Sequence, residues 1–374
     1  MHNNINKLNI LISCGSFSWG GLEMFSLETA KKLAEKGMNI KILCTENSKL
    51  QEESETSGFE TLPYFGKNKN IPSSILKLTK YLKNSDTDII HSNHSHDLWV
   101  LTPALKQAGT AAKLFLTKHM ASGVKKNDLL HRYLYKRIDA VFAISSYIQQ
   151  SLKNTTPLPE NKIILLPVGI DIKRFNRQRF APVEVKKELG LPKDKLIVGI
   201  VGRMTPGKGH EEFLEAAKIL NDKYEDKIFF LVIGNASYGE EEYETGIRKM
   251  AEILGLKNIK FTGYASVPEK AMTAIDILSF PSHDESFGRV LLEAMALEIP
   301  TAASGYAGVL DITIDNETGL LFRPKDPLSQ AEALEKLILG KDLREKFALA
   351  GKKRAEEVFT FDIMINDLIK HYTS

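Results

Sequence analysis

Short apolar runs alternate along the chain with longer stretches in which apolar residues recur at helical spacing. Lys7–Ser13 (KLNILIS) is followed by an amphipathic stretch, Leu22–Lys36, then by Asn39–Thr45, a helical stretch near Ser73–Leu82, and Asp88–His91. Leu98–Gln107 has helical period and precedes Lys113–Thr117, and Ala140–Ile144, Tyr147–Lys153 and Lys162–Leu166 continue the series. Such runs, separated by amphipathic helices, predict a parallel sheet with helices on both faces. From Phe175 the pattern breaks. The stretch FNRQRFAPVEVKKELGLPKD is polar and holds two prolines, as a linker between domains would.

A second series follows. Strands are expected at Leu196–Val201, Ile228–Ile233, Ile259–Phe261 and Ile277–Phe280, and helices at Glu211–Leu220, Tyr243–Leu254, Pro268–Ala274 and Arg289–Leu297. The expected architecture is α/β: two tandem doubly wound, Rossmann-like domains facing across a cleft. The first spans 1–180 and the second 181–358, with a terminal amphipathic helix in 359–374 able to cross back to the first. Ligands of such sheets bind beyond the carboxyl ends of the strands.

Composition narrows the class. At 374 residues the chain suits two domains, each able to bury a core, and 43% hydrophobic residues exclude wholesale disorder. The net charge of +3 conceals an asymmetry: residues 1–180 carry 25 basic and 15 acidic side chains, residues 181–374 carry 25 and 32. A basic half points to an anionic partner. Cys14 and Cys44 both lie in strand-like runs and read as buried thiols, which excludes a disulfide framework. The first residues lack a signal peptide's apolar region, and no window approaches the ~20 apolar residues of a spanning helix. A cytoplasmic location is expected, with a peripheral visit to the inner face of the plasma membrane compatible with it.

Two segments concentrate the chemistry. Gly202–His210 (GRMTPGKGH) follows a strand and opens a helix. Its glycines let backbone approach a ligand, the helix start offers unpaired N–H groups, and Arg203 and Lys208 add two fixed positive charges. This suits a diphosphate clamp that needs no metal; a solvated turn is the alternative. In Pro281–Ala296 (PSHDESFGRVLLEAMA) a strand ends, a loop carries Glu285, and a helix starts near Gly288. The amides of Ser286, Phe287 and Gly288 can converge on one anion. Glu293 lies roughly 10 Å further on at about 1.5 Å per helical residue, so two carboxylates can grip hydroxyls on either side of a diphosphate. The plainer alternative is a helix start with favourable acids.

These residues resemble the signature of the retaining glycosyltransferases of family 4, which have the GT-B fold. The resemblance covers nearly the whole chain. Trp19–Glu23 (WGGLE) is similar to the family's first glycine loop, and IIHSN (Ile89–Asn93), TKH (Thr117–His119), PVGIDIKRF (Pro167–Phe175) and GRMTPGKG (Gly202–Gly209) fall in the family's order. The resemblance implies a nucleotide-diphosphate sugar as donor, with no cofactor and no metal. It implies that Arg203 and Lys208 hold the diphosphate, that Glu293 binds the ribose, and that Glu285 with the Ser286–Gly288 amides holds the sugar. Gly20 and Gly21 would close over the phosphates or the acceptor, and His119 would sit near the reacting sugar. Three positions depart from the family: Val168 replaces a frequent asparagine, Gly207 stands where an acid is common, and Ala307–Asp311 (AGVLD) replaces a Gly-Gly…Pro-Glu segment.

Other motifs read as structural. Asp86-Thr87-Asp88 resembles a metal-binding DxD tripeptide but lies at the amino end of a strand, the wrong end for a site. His91, His94, His96 and Asp97 match no zinc spacing, and Ser95 or Asp97 is expected to cap the next helix; His91 and Asn93 are candidates for acceptor contact. Residues 101–137 carry Lys106, Lys113, Lys118, Lys125, Lys126, Arg132, Lys136 and Arg137 against one acid, Asp128, with Leu129, Leu130, Tyr133, Leu134 and Tyr135 interleaved. This reads either as a helix with a solvated basic face or, through 113–137, as a surface for an anionic membrane or a phosphorylated lipid acceptor. Nothing resembles a nucleic-acid module. The expected activity is transfer of a sugar, with a UDP-sugar favoured as donor, to a glycan or glycolipid of the bacterial surface, lipopolysaccharide included. A GT-B nucleotide-sugar epimerase, a non-catalytic nucleotide-sugar-binding protein and an exported solute-binding protein are the alternatives.

Overall fold

The computed structural model describes residues 8–66 and 71–374; Lys7, where the first strand was expected to start, lies outside them. The chain forms two compact units. One takes in the chain up to Pro167 together with Phe361–Ser374, and the other is Val168–Thr360.

The first unit is built on seven strands: β1 (Asn9–Cys14), β2 (Asn39–Thr45), β3 (Glu60–Phe65), β4 (Ile89–Ser92), β5 (Lys113–Lys118), β6 (Ala140–Ala143) and β7 (Ile163–Leu165). Their order is β3-β2-β1-β4-β5-β6-β7, and every pairing is parallel. Leu11, Ile12, Leu43, Ile90, Leu114, Leu116 and Val141 are buried, as strands covered on both faces require. Chain order reverses between β1 and β4, so the loops after these two strands flank the switch point where ligands of such sheets bind.

The terminal helix Phe361–Thr373 belongs to this unit. It buries Phe361, Met364, Ile365, Leu368 and Tyr372, an apolar stripe of helical period. Phe361 stacks on Phe25 with ring centroids 6.4 Å apart, and Tyr372 packs on Phe115 at 5.1 Å. At about 1.5–3 kcal/mol per buried large side chain, this stripe anchors the helix firmly.

The second unit repeats the plan with six strands: β8 (Leu196–Val201), β9 (Ile228–Ile233), β10 (Ile259–Gly263), β11 (Ile277–Phe280), β12 (Thr301–Ser304) and β13 (Leu320–Phe322). The order is β10-β9-β8-β11-β12-β13, all parallel, with the reversal between β8 and β11. Its core gathers Val198, Ile200, Phe213, Phe230, Val232, Ile277, Leu334 and Phe347. Two parallel sheets with interleaved helices make a two-domain, Rossmann-like α/β chain.

The boundary falls earlier than the 180/181 expected, and the polar stretch after Phe175 is part of the second unit rather than a free linker. Phe175, Val185 and Leu191 are buried. Several charges in and beside this stretch are engaged: Arg174 meets Glu269 through Nε and Nη2 (3.1 and 3.0 Å), Arg177 Nη1 donates to the Leu297 carbonyl (3.2 Å), and Lys186 pairs with Asp276 at 2.7 Å. A polar segment docks here because its cations satisfy carboxylates and helix-end carbonyls while its sparse apolar residues fill the core.

Candidate active site

In the second unit the loops after β8 and β11 flank the switch point and are stitched to each other. His283 N donates to the Gly207 carbonyl (2.9 Å), and Ser282 Oγ reaches the same oxygen at 3.5 Å. Gly209 has φ +79°, and a Cβ there would stand 2.3 Å from the Pro281 carbonyl oxygen, so glycine is needed for the loops to meet. A third loop joins them from β12. Gly308 N donates to the Glu285 carbonyl (2.9 Å), and a Cβ on Gly308 would lie 2.3 Å from the Ser286 carbonyl oxygen. The segment Ala307–Asp311, where the sequence departs from the family, thus buttresses the loop that carries Glu285.

This scaffold places the charged groups. Lys208 Nζ is 2.7 Å from Glu285 Oε2, and Ser282 Oγ is 3.4 Å from the same oxygen. Arg203 is exposed, with Nη1 at 3.3 Å from Ser237 Oγ. The helix Arg289–Ala296 starts at Gly288 and carries Glu293 on its second turn, with Arg289 Nε 4.0 Å from Glu293 Oε1. Phe287 is buried with its ring edge-on to Phe359 at 6.1 Å, which leaves only its backbone to serve a ligand. His283 Nε2, in the loop after β11, faces Glu212 Oε1 on the first turn of the helix His210–Tyr224 at 2.7 Å, a pairing that the sequence pattern did not disclose. Two cations and two carboxylates on two adjacent loops and a helix start can bind an oxyanion and hydroxyl-bearing groups on either side of it.

The first unit carries the remaining candidates. Gly20 precedes the helix Gly21–Glu35, and its N–H donates to Glu23 Oε2 at 2.8 Å. A Cβ on Gly20 would come no closer than 3.6 Å to a protein atom, and one on Gly21 would meet none within 4 Å. Packing within the unit therefore does not demand glycine at either position. His119, just past β5, lies edge-on to Phe25 at 4.8 Å.

His91 is corrected as an acceptor residue. It is 1% exposed, with Nδ1 hydrogen-bonded to the Tyr372 hydroxyl beneath the terminal helix and Nε2 to Thr117 Oγ1 at 2.6 Å. Desolvation pushes its pKa down to about 3, so it is a neutral core histidine. Asn93 differs. It is 3% exposed, its N–H donates to the Ser13 carbonyl (2.8 Å), and neither Oδ1 nor Nδ2 has a hydrogen-bond partner among the described residues.

Asp97 takes the N-cap position of the helix Leu98–Ala108, as expected, but its side chain makes no capping bond there. Its carboxylate turns back to β1 and accepts from Ser13 Oγ (2.5 Å) and Gly15 N (3.0 Å), while Oδ1 faces His94 Nδ1 at 3.0 Å. These contacts tie the loops after β1 and β4 together around a cavity of about 310 Å³ lined by Phe17, Phe65, His94, Asp97 and Trp99. Asp88, at the amino end of β4, accepts from the backbone and side chain of Asn9 (2.8 and 3.3 Å), a structural role for the DxD tripeptide.

Comparison with known proteins finds related glycosyltransferases for both halves of the chain. The family model for glycosyl transferases group 1 matches residues 183–354, and that for glycosyltransferase family 4 matches residues 19–174. The chain is 25% identical to a D-inositol 3-phosphate glycosyltransferase of Stackebrandtia nassauensis, over 96% of this chain and 87% of that one. It is 30% identical to the capsular polysaccharide biosynthesis glycosyltransferase CapM of Staphylococcus aureus, over 63% of this chain and 61% of that one. Among solved structures, Anabaena HepE in complex with UDP and glucose superposes with a TM-score of 0.83 at 20% identity, covering 98% of this chain and 100% of that one. With both halves of the chain matched in order and each supplying the loops just described, the protein belongs to the family 4 glycosyltransferases.

Proposed function

We propose that the chain is a retaining glycosyltransferase. It moves a sugar from a nucleotide-diphosphate sugar, preferentially a UDP-sugar, to a glycan or lipid-linked acceptor in the synthesis of a bacterial surface polysaccharide or lipopolysaccharide. The observation that carries this reading is the Lys208–Glu285 pairing, with the Gly288 helix start, at the switch point between β8 and β11, where Arg203 lies on the loop that follows β8. The UDP and glucose of the Anabaena structure support the choice of donor, and CapM, by its name, supports the surface-polysaccharide setting.

The chemistry follows from charge. As the glycosidic bond to the diphosphate breaks, negative charge grows on the departing oxygen and positive charge on the sugar. In this reading Arg203 and Lys208 stabilise the first, Lys208 sharing its ammonium between Glu285 and the leaving group, and the two cations take the part that a metal ion would otherwise play. Glu285, with the amides of Ser286, Phe287 and Gly288, holds the sugar, and Glu293 holds the ribose hydroxyls. In the first unit Gly20 and Gly21 serve the phosphates or acceptor, His119 the reacting sugar, and Asn93 the acceptor; an amide buried with no partner suits such a contact.

No helix among the described residues is long and apolar enough to cross a membrane. We place the protein in the cytoplasm, visiting the membrane through the helix Leu129–Lys136. There Leu129 and Leu130 are 83% and 61% exposed beside Arg132 and Lys136. Lys113 and Arg137 do not contribute to that surface, since Lys113 Nζ reaches the Tyr372 carbonyl (3.4 Å) and Arg137 pairs with Asp139 (3.1 Å). Co-sedimentation should show preference for anionic over neutral vesicles. Thermal shifts with a panel of UDP-, GDP- and ADP-sugars test the main reading: a shift with a UDP-sugar that survives EDTA is expected, and none with any donor contradicts it.

A further inference from the structure

A second cavity in the first unit, about 100 Å³, adjoins the larger one and shares His96 and Trp99 with it. Ser95 and Lys126 line it. Lys118, the last residue of β5, sends its ammonium to Ser95 Oγ at 3.2 Å. Lys118 thus reaches a hydroxyl that lines the cavity, and Lys126 lines the same cavity. Burial, and secondarily the charge of Lys126, hold the Lys118 pKa down to about 8, which still leaves it mostly charged at neutral pH.

Four other lysines of this unit have acid partners. Lys32, Lys41, Lys49 and Lys153 pair with Glu35, Glu60, Glu52 and Glu160 at 2.8–2.9 Å. Among the described residues neither Lys118 nor Lys126 has a carboxylate within ion-pair distance. Asp128, close in sequence, instead accepts from Leu130 N and His131 N and pairs with the His131 ring. Two partly buried ammonium groups beside each other without an acid are mutually destabilising, and an anion between them removes that cost. Two ammonium groups and a hydroxyl offer donors from several directions, as a tetrahedral oxyanion requires. The small cavity admits a phosphoryl group but not a sugar. The larger one has aromatic faces in Phe17, Phe65 and Trp99 and polar groups in His94 and Asp97, a lining suited to a sugar or polyol ring.

We propose that Ser95, Lys118 and Lys126 bind a phosphoryl group carried by the acceptor, whose ring lies in the adjoining cavity. This rests on the glycosyltransferase reading and names the acceptor's chemical class: a phosphate ester, either soluble or presented by a lipid.

The test uses the full chain saturated with UDP, so that the cations of the second unit are occupied. Titrating inorganic phosphate by calorimetry should show binding that weakens tenfold or more in Lys118→Met and in Lys126→Met, with UDP affinity unchanged and partial recovery in Lys118→Arg. Should Lys118→Met fail to fold, Lys126→Met and Ser95→Ala decide alone. Glucose 6-phosphate against glucose, and phosphatidic acid vesicles against phosphatidylcholine vesicles, distinguish the soluble from the lipid source; the preferred member of the correct pair should lose binding in the lysine variants. No phosphate binding, or equal binding in wild type and variants, overturns the proposal. Failure to bind UDP would instead overturn the donor reading.

Discussion

Lys208 Nζ stands 2.7 Å from Glu285 Oε2, so a cation assigned to the diphosphate and an acid assigned to the sugar are partnered across two loops. A phosphate oxygen approaching Lys208 must share its ammonium with that carboxylate. Glu285→Gln removes the competing charge but keeps the shape. It should bind UDP at least as tightly as wild type while losing ten- to a hundredfold in sugar transfer from the UDP-sugar. Calorimetry with UDP, paired with an assay of UDP release, checks this; weakened UDP binding would show that Glu285 supports the diphosphate site instead.

The glycines should separate by role. Gly209→Ala forces a side chain into a left-handed backbone position 2.3 Å from the Pro281 carbonyl, and Gly308→Ala would press on the Ser286 carbonyl. Each should cost about 1–3 kcal/mol of stability. Gly20→Ala and Gly21→Ala meet no such obstacle and should leave the unfolding midpoint unchanged while lowering transfer. Denaturant melts and rates on the four variants check the division. A destabilised Gly21→Ala would return that glycine to a purely structural role.

Acid should weaken the fold through two histidines. Desolvation drives the His91 and His210 pKa values to about 3 and about 4, against about 6.5 in an unfolded chain. Below pH 6.5 the unfolded state takes up protons that the folded state refuses, so stability is full above that value and falls as pH drops toward 4. The loss is on the order of 1–2 kcal/mol per histidine by pH 5. Urea midpoints at pH 7.5 and 5 should differ accordingly, and His91→Gln should flatten the dependence. The same pH response in His91→Gln as in wild type would refute the assignment.

Legibility in the sequence tracked burial. The strands Leu196–Val201, Ile228–Ile233 and Ile277–Phe280 coincide with apolar runs because both of their faces are covered. Glu60–Phe65 escapes such a reading because Pro63 and its polar start suit an edge strand, and it lies at the sheet edge. Thr301–Ser304 is hidden by small residues and Leu320–Phe322 by its brevity. In the second unit the positions of Arg203, Lys208 and Glu285 were legible, since loop chemistry after a strand is local. The Lys208–Glu285 pairing, the retreat of His91 beneath Tyr372 and the turn of Asp97 toward β1 depend on residues far apart in the chain, and periodicity carries no trace of them.

The account depends on the second unit's cations holding a pyrophosphate, and calorimetric titration with UDP-glucose measures that directly. Wild type should bind it saturably, and the Arg203→Ala/Lys208→Ala variant at least a hundredfold more weakly, while uridine binds both proteins equally poorly. Equal affinity of UDP-glucose for wild type and the double variant would contradict the account.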